Sequence, residues 1–160
     1  MAAPDLQTLH KFAFAFESAA VTFLNTATGI TVNRTVGEDV RETPRIEVRL
    51  DVAGAIDPPV TRDGGASPTT IDYRAYNASF SAFVITDNAV GQAPDHGTYR
   101  SQIRVALMRS AANWDSSTLP YYDVKYLKPT GDNYSTDGDF NVTEMGFSII
   151  FGIRSDAWPS

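Results

Sequence analysis

Positions 45–52 read RIEVRLDV, in which Ile46, Val48, Leu50 and Val52 alternate with Arg45, Glu47, Arg49 and Asp51. A period of two predicts a strand with one buried and one charged face. The alternation returns at Tyr76, Ala78, Phe80, Ala82 and Val84, with Asn77, Ser79 and Ser81 between them, so a longer strand is expected over about 71–86. Elsewhere the spacing is helical. After a Pro4-Asp5 start, apolar residues recur at Leu6, Leu9, Phe12 or Ala13, Phe16, Ala20, Phe23 and Leu24. Tyr99, Ile103, Leu107 and Ala111 predict a second helix, with Ala106, Met108 and Trp114 alongside and Arg100, Arg104 and Arg109 largely off the stripe.

Shorter signals complete the pattern. Residues 30–32 suit a short strand, and Tyr122, Val124 and Tyr126 suit another, ended by Lys128-Pro129-Thr130-Gly131. Met145, Phe147, Ile149, Phe151 and Ile153 mark a closing strand. Phe140 and Val142 precede it on the opposite parity, and a phase slip near 144–146 is what a β-bulge produces. Two stretches rich in turn residues, about 53–70 and 87–97, are expected as long exposed loops. The outline is α-β-β-α-β-β: a single α+β domain over 1–160, with a largely antiparallel sheet and both helices on one face. The other sheet face is expected to carry charges, hydroxyls and amides.

With 160 residues, one core of ordinary size is expected. The chain has no cysteine, which removes disulfides and thiolate metal sites, and two histidines, His10 and His96, too few for a zinc or iron centre. His96 beside Asp95 reads as part of a helix cap. FAFAFESAAVTFL is interrupted by Glu17 and has only Lys11 as a basic flank, so it reads neither as a membrane span nor as a signal peptide. The Asn-x-Ser/Thr sequons at Asn33, Asn77, Asn133 and Asn141 then read as chance. A net charge of −6 argues against a protein that coats nucleic acid, which needs a basic surface.

The chain contains no G-x-S-x-G elbow, P-loop, dinucleotide fingerprint or H-E-x-x-H. No enzymatic activity and no cofactor are expected. Asp137 and Asp139 stand close enough to pair, but solvated turn acids explain them more simply than a sugar cleft. NYSTDGDFNVTE, residues 133–144, comes near a calcium loop, with Asn133, Ser135, Asp137, Asp139 and Glu144 as oxygen donors and Gly138 at the turn position. A calcium loop of that type needs helices on both sides, whereas strands flank this one. The expectation is a hairpin, with a calcium- or glycan-binding module as the rival from another class. Exposed loops and a strand face of both signs suit an assembly subunit. Interface candidates are Arg45, Glu47, Arg49 and Asp51 on that strand, Asp57, Arg62 and Asp63 in the long loop, and Trp158 near the C-terminus.

The N-terminal helix, the strands from RIEVRLDV onward, the helix YRSQIRVALMRSAANW and the closing GFSIIFGIRSDAWPS together resemble the tail terminator proteins of long-tailed bacteriophages. Arg154, Ala157, Trp158 and Pro159 match the short tail that ends related head–tail proteins. The resemblance is one of layout over nearly the whole chain. It implies a virion protein, made in the bacterial host cytoplasm, that forms a six-membered ring on the tail tube. Such a ring ends tube growth and offers a docking surface to the head–tail connector, and DNA only passes through its pore. Its partners would be copies of itself, the major tail tube protein and the connector, with no membrane involved. The nearest alternative is another head–tail joining subunit.

Overall fold

The computed structural model describes residues 6–35, 41–55, 73–108, 114, 119 and 122–154. Helix α1 (Leu6–Thr28) leads into strand β1 (Thr31–Arg34), followed by β2 (Arg45–Ala55) and β3 (Tyr73–Asp87). Two short 3-10 turns, Asn88–Val90 and Ala93–Asp95, lead into helix α2 (His96–Met108), and the hairpin β4 (Tyr122–Asp137) and β5 (Phe140–Arg154) closes the chain. The five strands form one sheet in the order β1-β2-β3-β5-β4. Only β1 and β2 run parallel. This is the α+β, largely antiparallel domain expected from the pattern.

The register explains the core. Ile46, Val84 and Thr143 stand in one row across the sheet, followed by Val48, Ala82 and Met145, then Leu50, Phe80 and Phe147. All of these residues are buried, and the stripes Phe12, Phe16, Ala20, Leu24 of α1 and Ile103, Ala106, Leu107 of α2 close over them in a single cluster. Both helices therefore cover the same sheet face. Aromatic contacts join the layers: Phe12 stacks on Phe151 at 3.6 Å between centroids and Phe16 on Trp114 at 4.2 Å. Each buried ring removes a large apolar surface from water, the main favourable term in folding.

Glu17 is the polar exception inside α1, only 4% exposed. Strand β1 stops at Arg34 while β2 continues, so the edge of β2 opens beyond that point. Glu17 Oε2 accepts the Leu50 N–H at 2.8 Å, and Oε1 accepts Arg34 Nη2 at 2.8 Å and Nε at 2.9 Å. The carboxylate thus replaces a missing strand partner, as a buried N–H requires.

Four expectations change. The bulge expected near residues 144–146 is absent: β5 pairs with β3 in unbroken register from Phe140 to Arg154. Phe140 and Val142 simply face away from the helices, and the helix-facing positions at that end are the polar Asn141 and Thr143. The chain does not end a strand at Pro129 either. β4 continues through it, with register shifts between Val124 and Tyr126 and between Pro129 and Gly131. An edge strand tolerates a proline because one side of it makes no ladder. The 87–97 stretch is not a long loop but the end of β3, two 3-10 turns and the start of α2. Strand β2 also extends to Ala55, and residues 56–72 lie outside those described.

Candidate functional site

The sheet face opposite the helices gathers most of the described candidates. Its rows are Arg45-Ile85-Val142, Glu47-Phe83-Glu144, Arg49-Ser81-Gly146 and Asp51-Ser79-Ser148 across β2, β3 and β5. The alternation of β2 delivers Arg45, Glu47, Arg49 and Asp51 here together, as its period of two dictates. Opposite charges stand side by side along it. Arg45 Nε lies 3.5 Å from Glu47 Oε1, and Arg49 Nε lies 3.1 Å from Asp51 Oδ2. Arg49 also stands over the Phe83 ring at 5.8 Å, and Ser81 Oγ donates to Glu144 Oε1 at 3.0 Å.

What the alternation did not reveal is the apolar content of this face. Phe83, Ile85, Phe140 and Val142 line a hollow of about 330 Å³ whose rim is Arg45, Glu47 and Asp137. Phe140 remains 38% exposed. The face is thus apolar at one end, with paired charges beside it. The missed signal was local: Phe83 and Ile85 occupy the out-facing parity of β3, and Phe140 and Val142 that of β5.

The oxygen-rich stretch is spread along the hairpin. Asn133 stands opposite Glu144, Ser135 opposite Val142 and Asp137 opposite Phe140, with Gly138 (φ +61°) and Asp139 forming the turn. At about 3.4 Å per residue, Asn133 and Asp137 are about 14 Å apart along the strand. Ligands around one calcium ion stand about 2.3–2.6 Å from it, so Asn133, Ser135, Asp137, Asp139 and Glu144 are drawn out where a calcium loop would gather them. Asp57, Arg62, Asp63, Trp158 and Arg109 lie outside the described residues, as do the side chains of His10, Tyr122 and Tyr126.

A buried polar cluster sits at the helix-facing end of the sheet. His96 begins α2, and its expected capping role gives way to a bridge: Nδ1 lies 2.8 Å from Thr86 Oγ1 and Nε2 lies 2.7 Å from Thr143 Oγ1. Asn141 extends the cluster, donating to Asn88 Oδ1 at 2.6 Å and accepting from the Tyr134 hydroxyl at 2.7 Å. Burial and then the Arg100 charge lower the His96 pKa below its ordinary value. Thr86 and Thr143 are fully buried, so the His96 bridge ties α2 to β3 and β5.

Among the described residues no group of three or more His, Cys, Asp or Glu could hold a metal ion, and no helix is long and apolar enough to cross a membrane. No family model matches the chain, and no curated protein does. A solved structure aligns over 98% of this chain and 99% of its own, at 14% identity and a TM-score of 0.47. A likeness at that level says nothing of function.

Proposed function

We propose that this chain is a structural virion protein of the tail-terminator kind, whose copies form a ring that caps a tail tube and receives the head connector. The observation that carries this is the open sheet face. Domains bury an apolar sheet face against a second layer. Here, among the described residues, the helices cover one face, and on the other Phe140 is exposed and Phe83 and Val142 are half-buried around a buried Ile85, with no helix packed over them. Beside them, Arg45, Glu47, Arg49 and Asp51 add charges of both signs. An apolar centre with a polar rim is the anatomy of a protein–protein contact. Closed rings need heterologous surfaces that repeat around an axis, and stacked rings select one another by shape and charge. Catalysis has no part in this.

Two measurements test it. Native mass spectrometry, with and without calcium, is expected to give a six-subunit species indifferent to the ion, free or on purified tail tubes. Electron microscopy of tube subunits polymerising with the protein is expected to show shortened, capped tubes. A monomer that leaves tube length unchanged would overturn the terminator function, and capture by the connector alone would move the chain to another head–tail joint. Uptake of one calcium ion per chain would instead support the binding-module rival.

A further inference from the structure

Where α2 passes over the edge strand β4, two arginines share one aspartate. Asp132 stands opposite Met145, in the helix-facing row that also holds Ala82 and Val48. Arg100 Nη2 donates to Asp132 Oδ2 at 2.7 Å, and Arg104 Nη2 donates to both carboxylate oxygens at 3.1 Å. Among the described residues, two guanidiniums against one carboxylate leave one positive charge over. Each guanidinium has five N–H donors, and these contacts engage a single nitrogen of each.

Beside this trio opens a hollow of about 360 Å³ lined by Gly97, Arg100, Ser101, Arg104, Val105 and Asp132, with Met145 behind. Positions 97, 100, 101, 104 and 105 follow helical spacing and share one face of α2. A Cβ at Gly97 would meet nothing within 4 Å, so this glycine leaves space open and is not demanded by packing. Val105 is 59% exposed and also lines an adjoining hollow with Ala27, Gln102 and Ala106. A short apolar chain can therefore leave the charged end across Val105.

We propose that this hollow binds a carboxylate group carried on a short aliphatic stem. One carboxylate cancels the leftover charge, whereas a phosphate dianion would add a surplus negative charge beside Asp132. The Arg100 and Arg104 forks suit a planar carboxylate, Ser101 adds a hydroxyl donor, and Val105 offers the stem a wall. A free small acid and a glutamate side chain of another protein share this chemistry. The pocket lies on the helix layer and is independent of the ring reading.

The test is an NMR titration of the full chain with sodium butyrate, against sodium chloride at equal ionic strength. Saturable shifts of the Arg100 and Arg104 Nε–H and the Ser101 amide are expected, with a dissociation constant of about 1–10 mM. His96 supplies a second readout. Burial first and the Arg100 charge second hold the His96 pKa down; the bound anion offsets only the second, so that pKa rises part of the way on binding. The other groups near the ring, Thr86 on β3, Thr143 and Asn141 on β5 and Tyr134 on β4, stay as they are. Arg104→Gln is expected to weaken binding at least about tenfold. Gly97→Leu fills the hollow and abolishes binding while the fold is kept, because a helix favours leucine over glycine. A hexaglutamate peptide binding far more tightly than butyrate assigns the site to a protein partner, and equal binding per carboxylate assigns it to a small acid. Shifts no larger than with chloride, unchanged binding by Gly97→Leu, or tighter binding of inorganic phosphate would each overturn the proposal.

Discussion

Glu17→Ala is the sharpest test of how this sheet is held. The substitution removes the acceptor for the Leu50 N–H and the partner of Arg34 in one step. An unpaired buried N–H costs about 1–3 kcal/mol, and losing one packed methylene adds about 0.8 kcal/mol. The ion pair is discounted, because the Arg34 side chain is 22% exposed and can regain water, so it adds about 0.5 kcal/mol. The greater helix propensity of alanine returns a few tenths. About 3 kcal/mol remains, or a fall in Tm of about 6–12 °C for a chain of this length. Urea unfolding followed by circular dichroism and fluorescence together reads the loss as a lower midpoint at constant slope. Glu17→Gln separates the two roles, because its amide oxygen still accepts from Leu50 while its NH₂ opposes Arg34. It is expected to cost about 1–1.5 kcal/mol. The reasoning fails if Glu17→Ala stays within about 1 kcal/mol of the parent, or if glutamine is as damaging as alanine.

Three further outcomes follow from the same geometry. Since His96 is held below its ordinary pKa, the unfolded chain takes up this proton first, and stability falls as pH drops below about 6.5 toward the folded value; His96→Gln should flatten that limb of a stability–pH curve. A Cβ at Gly146 would come within 2.6 Å of Thr130 Oγ1, so Gly146→Ala is expected to cost about 1–3 kcal/mol, and adding Thr130→Ala should recover part of it in a double-mutant cycle. Gly138 takes φ +61° at the hairpin turn. Gly138→Val should therefore cost about 1–2 kcal/mol by thermal unfolding, with Gly138→Asn milder.

How far the sequence reached depends on whether the signal was local. The stripes Phe12-Phe16-Ala20-Leu24 and Ile46-Val48-Leu50, and the run Met145 to Phe151, were legible because burial imposes the periods of 3.6 and 2 directly on side-chain type. From those periods came the α+β class, the helix-covered face and a hairpin in place of a helix-flanked calcium loop.

Partnership across the sheet could not be read that way. That Asp132 lies beneath Arg100 and Arg104, and that His96 joins Thr86 to Thr143, both follow from which elements are neighbours. So does the role of Glu17, which looked like an interruption of an apolar run and is the group that completes the edge of β2. By itself the sequence determined which side of each element is apolar, since that is a property of one segment and water. Only the tertiary structure decided which polar groups meet, because those contacts link residues as much as 63 positions apart, as between Ser81 and Glu144, and chain pairing alone brings them within hydrogen-bond reach.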